Sequence, residues 1–98
     1  MLEEDKKDIV RKRIRVYGRV QGVGFRYLTM MTAPQLNLTG WVQNLADGSV
    51  LLEVQGKKDM VERLIPTVEN GHWVRIDYIE EEWIDTVNSE NSFRVQSK

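Results

Sequence analysis

Alternation between hydrophobic and polar positions marks the first regular element of the chain. Between Arg13 and Tyr17, the side chains of Ile14 and Val16 fall on one face and charged or polar residues on the other. This two-residue period is typical of a half-buried strand. Residues 18–24, which follow, hold three glycines in seven positions, so the strand is expected to end in a glycine-rich loop.

A helix is predicted directly after this loop. Side chains recur there at helical spacing: Phe25, Leu28, Met31 and Thr32. Pro34 disfavours the helical conformation in the residue before it, so we expect the helix to end or kink near Ala33. Asn37 suits a left-handed exit from such a helix.

Two further strands are predicted over residues 38–44 and 49–55. The turn between them contains Asp47-Gly48, a pair that supplies positive φ at little cost and is typical of a hairpin. In the second strand, Val50, Leu52 and Val54 alternate towards a core.

The second half of the chain returns to helical spacing. Residues 57–70 carry an apolar stripe and are predicted to form an amphipathic helix despite Pro66. Asn70-Gly71 is a typical stop for such a helix. Alternation resumes over residues 73–83, and a last short strand is predicted over residues 93–95.

The predicted order is β-α-β-β-α-β with an extra terminal strand. This order predicts an α+β fold in which two helices cover one face of an antiparallel sheet. The expected architecture is therefore the ferredoxin-like βαββαβ sandwich. Trp41, Trp73, Tyr78 and Trp83 are expected to pack in the core or against the sheet.

Length and composition indicate one folded unit. A chain of 98 residues has no room for two independent cores, and 41% hydrophobic with 30% charged residues is ordinary for a globular protein. We expect residues 1–9 to form a flexible N-terminal tail and residues 10–98 to form the domain. No apolar run approaches the roughly 18–20 residues that span a bilayer, so no membrane association is expected.

The side chains most used in catalysis are scarce. The chain has no cysteine and one histidine, His72, for which no role is expected. Disulfides, a thiolate nucleophile, cysteine-based zinc sites and histidine-rich metal sites are thereby excluded. The net charge of −1 also argues against a domain that binds nucleic acid duplexes, which would normally be basic.

Positive charge is concentrated early in the chain. Five cations lie close together in sequence and could attract an anion: Lys12, Arg13, Arg15, Arg19 and Arg26. For Arg13 and Arg15 we favour a simpler interpretation, in which they cover the solvent face of a strand.

The glycine loop is a candidate anion site. A glycine-rich connection between a strand and a helix can point several N–H groups in one direction, and the helix dipole adds to their effect. Its spacing matches neither the dinucleotide nor the Walker fingerprint. Arg26 could fold over the loop and bind a phosphate with two parallel hydrogen bonds.

Two segments strongly resemble the signature segments of the acylphosphatase family. They are Gly18-Arg19-Val20-Gln21-Gly22-Val23-Gly24-Phe25-Arg26 and Gly40-Trp41-Val42-Gln43-Asn44-Leu45-Ala46-Asp47-Gly48-Ser49-Val50. The resemblance implies a ferredoxin-like fold and a cofactor-free, metal-independent, monomeric enzyme of the cytoplasm. Its substrate would be a small acyl phosphate, and its products a carboxylate and inorganic phosphate.

The resemblance also assigns roles to residues. Arg26 and Asn44 would be catalytic, Arg26 as the cation for the phosphoryl group and Asn44 as the group that orients the attacking water. The phosphate-binding loop would comprise Gln21, Gly22, Val23, Gly24, Phe25 and Arg26, with Gln21 contributing its backbone N–H. Gly18 and Thr39 are expected either to support the site or to serve the fold alone.

The sequence departs from the family pattern at positions outside the phosphate-binding loop, Arg26 and Asn44. Pro34 and Asn37 stand where helix formers and a glycine are more usual, and Leu51 stands where an acidic residue is usual. Residues 70–73 replace a commoner Gly-Pro connection.

Two other classes of function remain open. The same fold class occurs in RNA-binding domains, which stack bases on strand aromatics, but residues 49–55 contain no aromatic side chain. No nucleic acid partner is therefore expected. The other alternative is a silent domain that binds phosphate in the loop without productive water.

Overall fold

The computed structural model describes residues 8–70 and 73–97, and it follows the predicted order of elements. The bounds are β1 Ile9–Arg19, α1 Phe25–Gln35, β2 Thr39–Asn44, β3 Val50–Lys57, α2 Lys58–Glu69, β4 Arg75–Ile84 and β5 Phe93–Val95. Strand β1 is longer than predicted because Ile9 already pairs with Lys57 of β3. Residues 1–7 of the expected N-terminal tail, and Gly71 and His72, lie outside the described residues.

All five strands form one sheet in the order β4-β1-β3-β2-β5. The predicted antiparallel sheet is confirmed for β1 to β4, and the extra terminal strand β5 runs parallel to β2, which makes the five-stranded sheet mixed. The direction of β5 has a simple cause. Strand β4 ends at the same end of the sheet where β5 begins, and residues 85–92 cross between the two edges there.

The core lies between the sheet and both helices. Its buried apolar side chains include Ile14, Val16, Phe25, Ala33, Val42, Val50, Leu52, Val54, Val61, Leu64 and Val68. Strands β1, β2 and β3 contribute alternate residues to this face, as the two-residue period requires. The predicted apolar stripe of α2 is confirmed, because Val61, Leu64 and Val68 are all buried.

Helix α1 ends later than predicted. It continues through Pro34 to Gln35 because the last turn uses the carbonyl of Pro34, which accepts a bond from the Asn37 N–H at 3.0 Å. The Leu38 N–H donates to the Ala33 carbonyl at 2.9 Å, and Asn37 has φ +58°. These bonds form the Schellman arrangement, which confirms the left-handed exit.

The buried stripe of α1 also differs from the prediction. Phe25, Thr29 and Ala33 are buried, while Met31 is 50% exposed. The Thr29 hydroxyl donates to the Phe25 carbonyl at 2.8 Å, so a polar side chain can face the core without an unsatisfied donor.

Aromatic side chains of the last long strand are more exposed than expected. Tyr78 and Trp83 are 54% and 48% exposed, because β4 is an edge strand with little packed outside it, and Trp73, in the turn before β4, is 71% exposed. The Tyr78 ring still meets the ring of Tyr17 at 4.7 Å, and the ammonium of Lys12 lies 4.4 Å from the Trp83 ring.

The face of the sheet opposite the helices carries paired charges. Arg13 contacts Glu53, and Arg15 contacts Asp47, which confirms that these arginines cover a strand face. Arg11 is 2% exposed and bonds to both Glu53 and Glu90.

Glu90 ties the crossing segment to the sheet. Burial opposes the charge of Glu90, yet the hydrogen bonds from Arg11 and Thr39 lower its pKa. The Val87 N–H donates to the side chain of Gln55 at 2.8 Å and adds a second attachment. Among the described residues, neither helix is long and apolar enough to cross a membrane.

We predict that Glu90→Gln lowers the free energy of unfolding by about 3 kcal/mol. This is the lower end of the range for breaking a buried ion pair, because Glu53 still contacts Arg11. Urea denaturation measures the change. Glu82→Gln is the matched control: its pair with Arg13 is exposed and should be worth less than ~1 kcal/mol. Equal losses in the two variants would contradict the buried anchor.

Candidate active site

The glycine loop connects β1 to α1 and is fixed at both ends by buried side chains. Val20 before it and Phe25 after it are each 1% exposed. Between them, Gly22 and Gly24 adopt φ +75° and +88°, which side chains other than glycine rarely adopt. The loop can therefore turn back sharply while its two ends remain in the core.

The N-terminus of α1 is left available to an anion. Gly24 caps the helix without a side chain, and the first turn contains no acidic residue. The first bond of the helix runs from the Leu28 N–H to the Gly24 carbonyl at 2.8 Å. The N–H groups of the three residues between them consequently have no acceptor within the helix, at its positive end.

A shallow pocket of about 180 Å³ lies in front of this helix end. It is lined by Val20, Gln21, Gly22, Gly24, Phe25, Arg26, Tyr27 and Asn44. Six of these residues were predicted as site residues, and the structure brings them together. Within the described part of the chain, no carboxylate pairs with Arg26, so its charge is available to a ligand.

Two lining residues, Val20 and Tyr27, were not among the predicted site residues, and Tyr27 is the polar one. Its side chain is 66% exposed and stands at the pocket because it belongs to the first turn of α1. The sequence did offer a signal for Tyr27, because it directly follows Arg26 in the first turn of the predicted helix.

Asn44 reaches the pocket through the pairing of three strands. Val50 of β3 pairs with Val16 of β1 on one side and with Asn44 of β2 on the other. These residues therefore lie at one level of the sheet, with about 4.8 Å between neighbouring strands. The glycine loop begins just beyond that level on β1.

One polar atom of the site is unsatisfied. The Oδ1 atom of Asn44 is buried, and no donor among the described residues binds it. A buried acceptor without a partner costs roughly 1–3 kcal/mol, so its presence at a pocket wall points to a ligand or water as the natural partner.

The turn after Asn44 is held by an aspartate. The Ser49 N–H donates to Asp47 Oδ1 at 2.9 Å, and the Arg15 guanidinium contacts Asp47 Oδ2 at 2.6 Å. The hydrogen bonds from Ser49, helped by Arg15, lower the pKa of Asp47 from its ordinary value of 3.8 to about 2. The turn thus keeps its shape through a carboxylate that stays ionised in mild acid.

Gln21 uses its side chain in a way that the sequence did not predict. The side-chain amide donates to the carbonyls of Leu45 and Ser49, at 2.7 and 2.8 Å. Both acceptors belong to the turn after Asn44. The expected contribution of the Gln21 backbone N–H to an anion site stays a prediction.

Three predicted residues lie outside the pocket lining. Val23 is half-buried and packs against the core. Gly18 is needed where β1 passes β4, since a Cβ there would lie 2.2 Å from the Arg75 carbonyl oxygen. Thr39 stands at the opposite end of β2 from Asn44, roughly 17 Å away at the usual rise of a strand, so the structure does not bring it to the site.

A larger pocket, of about 570 Å³, lies on the open face of the sheet and away from the loop. Its walls include Arg13, Arg15 and Glu53, charges that already bind one another or Asp47. The smaller pocket is the better candidate because it holds Arg26, a cation without a carboxylate partner in the described residues, together with the unsatisfied acceptor. Residues 8–70 and 73–97 contain no group of three or more His, Cys, Asp or Glu side chains that could hold a metal ion.

Comparisons with known proteins show the family of this chain. The family described as Acylphosphatase matches residues 12–95. The chain is 45% identical over 83 residues to an acylphosphatase of Salinibacter ruber, covering 84% of this chain and 87% of that protein. The solved structure of an acylphosphatase from Coxiella burnetii is similar with a TM-score of 0.84 at 33% identity, covering 95% of this chain and 98% of that one. An acylphosphatase structure from Bacillus subtilis is similar with a TM-score of 0.81 at 33% identity, covering 89% and 98%.

We predict that Asp47→Asn changes how stability depends on pH. The unfolded chain binds a proton at Asp47 near pH 3.8 and the folded chain near pH 2. The ionised carboxylate therefore stabilises the fold above about pH 4, and this contribution disappears as the pH falls towards 2. The difference in unfolding free energy between wild type and Asp47→Asn should shrink over that window in urea titrations. A constant difference from pH 5 to pH 2 would contradict the assignment.

Proposed function

The chain belongs to the acylphosphatase family and is an acyl phosphate hydrolase, and from this premise we propose how its site performs the reaction. The phosphoryl group binds at the glycine loop, with Arg26 as its cation, and Asn44 orients the water that attacks phosphorus. The observation that carries this proposal is the unsatisfied, buried Oδ1 of Asn44, in the same pocket as Arg26.

Phosphate binding rests on the positive end of α1. Backbone N–H groups of the loop and first turn donate to the phosphoryl oxygens, including those from Gln21 to Arg26. The Arg26 guanidinium adds charge-assisted bonds, each worth roughly 1.5–3 kcal/mol. These donors stay in place during the reaction, so they can stabilise the charge on the equatorial oxygens of the transition state.

Water is positioned by the side chain of Asn44. The Oδ1 atom of Asn44 is an acceptor, so it can bind an O–H of a water molecule in the pocket. A lone pair of that water then faces the phosphorus atom. Holding the nucleophile in line removes much of the entropic part of the barrier.

The reaction needs no strong base. A bond forms between the water oxygen and phosphorus, the bond from phosphorus to the acyl oxygen breaks, and the carboxylate leaves with that electron pair. A proton of the water passes to a phosphoryl oxygen of the substrate. Because an acyl phosphate already has a good leaving group, positioning and electrostatic stabilisation suffice.

The range of substrates follows from the pocket. Its walls contact the phosphoryl group, and the exposed position of Arg26 leaves the acyl portion near solvent. The enzyme is therefore proposed to accept several small acyl phosphates. It is further proposed to act as a monomer without a metal ion, as the resemblance to the family implies. A cytoplasmic location stays a prediction.

We predict that Arg26→Ala and Asn44→Ala each reduce turnover of benzoyl phosphate by at least ~10²–10³-fold, as expected for loss of one preorganised group. Arg26→Ala should also weaken competitive inhibition by inorganic phosphate, whereas Asn44→Ala should leave that inhibition nearly unchanged. Phosphate release in the presence of EDTA measures both effects. Arg63→Ala and Asn88→Ala, at exposed positions outside the pocket lining, are the matched controls.

Two outcomes would contradict the proposal. Wild-type turnover in Asn44→Ala would show that this residue does not orient the water. A folded wild-type protein that binds phosphate but releases none from benzoyl phosphate would be the silent anion-binding domain instead.

A further inference from the structure

The side chain of Gln21 joins the two halves of the site. Its amide carries two N–H donors, and the amide nitrogen lies 2.7 Å from the Leu45 carbonyl oxygen and 2.8 Å from the Ser49 carbonyl oxygen. An amide nitrogen has two hydrogens, so these two bonds use its full donor capacity. Gln21 itself lies at the start of the glycine loop, and both acceptors lie on the turn between β2 and β3.

These two hydrogen bonds, called the Gln21 bridge below, lie immediately beyond Asn44. Leu45 follows Asn44 in the chain, and Ser49 precedes Val50, the residue that pairs with Asn44 across the hairpin. The Leu45 N–H donates to the Ser49 carbonyl at 2.9 Å, and the Gly48 N–H donates to the Leu45 carbonyl at 3.2 Å, so both acceptors already take part in the bonds that close the hairpin. A shift of Gln21 relative to these carbonyls therefore equals a shift of the loop relative to Asn44.

Each half has its own means of keeping its shape. The loop is anchored by the buried side chains of Val20 and Phe25, and the turn is closed by its backbone bonds and by Asp47. In the part of the chain that the structure describes, the hydrogen bonds that join loop to turn are the two from the Gln21 amide. Their loss would leave both halves formed and change how they are aligned.

We infer that Gln21 is a positioning residue that fixes the distance and angle between the bound phosphoryl group and the water held by Asn44. The inference rests on the proposed function and adds a role for a side chain that does not touch substrate. In-line attack is sensitive to this geometry, since a displacement of about 1 Å can cost up to ~10²-fold in rate. Phosphate affinity depends instead on the loop N–H groups and Arg26, which Gln21 leaves in place.

The chemistry of the bridge selects the test variants. Both partners of Gln21 are carbonyl acceptors, so the side chain must donate twice. Methionine has nearly the same length and no donor, while an ionised glutamate would place negative charge against two carbonyl oxygens. Asparagine keeps both donors on a shorter side chain and serves as the conservative variant.

The decisive experiment is a double-mutant cycle with benzoyl phosphate. Gln21→Met is expected to lower kcat by ~10- to 100-fold in the wild-type background, with the inhibition constant for inorganic phosphate changed by less than about threefold. If Gln21 acts through Asn44, Gln21→Met in the Asn44→Ala background should lower kcat by less than about threefold. The reason is that the Asn44 side chain, which Gln21 would position, is already absent from that variant.

Further variants separate alignment from general damage. Gln21→Glu should be slower than Gln21→Met, and Gln21→Asn should recover part of the lost rate. Gln35→Met, an exposed glutamine at the far end of α1, is the matched control and should leave kcat and phosphate inhibition unchanged. Circular dichroism and urea denaturation verify that each variant is folded, and Gln21→Asn replaces Gln21→Met in the cycle if the latter is not.

The result can overturn the inference without touching the proposed function. Equal losses of kcat from Gln21→Met in the wild-type and Asn44→Ala backgrounds would mean that Gln21 acts independently of Asn44. Parallel loss of kcat and phosphate affinity would mean that Gln21 shapes the phosphate-binding loop itself. If instead the wild type does not hydrolyse benzoyl phosphate, or Asn44→Ala is fully active, it is the proposed function that fails.

Discussion

The register of β3 between β1 and β2 is the constraint on which the site depends. Val50 pairs with Val16 on one side and with Asn44 on the other, so the end of β2 and the end of β1 are fixed at neighbouring heights. A slip of one residue would turn the apolar side chains of β3 away from the helices. The buried positions of Val50, Leu52 and Val54 oppose such a slip, and the hydrophobic core thereby determines where Asn44 stands.

Electrostatics leaves positive charge available at the glycine loop. Three arginines of β1, Arg11, Arg13 and Arg15, contact carboxylates of β3, β4, the β2–β3 turn or the segment that follows β4. The N-terminus of α1 has a glycine cap and no acid in its first turn, and Arg26 lies beside it without a carboxylate partner in the described residues. The proposed anion site therefore combines the helix end with Arg26, although the whole chain has a net charge of −1.

The site keeps features that do not favour stability. Gly22 and Gly24 have positive φ with open space around them, and Asn44 keeps a buried oxygen without a protein donor. Buried, unsatisfied acceptors and glycine-dependent turns are individually unfavourable for folding. Elsewhere the fold compensates with a dense apolar core and the buried contacts of Arg11. Unfavourable features at the site and compensating contacts in the rest of the fold are typical of an active site supported by a rigid sheet.

The local sequence pattern was sufficient to predict most of the secondary structure of this protein. Periods of two and of 3.6 residues were enough to predict the order of elements and the helix-covered sheet, because these signals depend on neighbours in sequence. The glycines and Asp47-Gly48 indicated the loop and the turn, and the roles of Arg26 and Asn44 were implied by the resemblance to the acylphosphatase family. The end of α1 was predicted too early, because the Schellman bonds from Asn37 and Leu38 carry the last turn past Pro34. The tertiary structure alone decided the parallel pairing of β5, the exposure of Tyr78 and Trp83 on β4, and the hydrogen bonds from Gln21 to the turn. Each of these depends on contacts between residues far apart in the chain, whose geometry is set only when the sheet assembles.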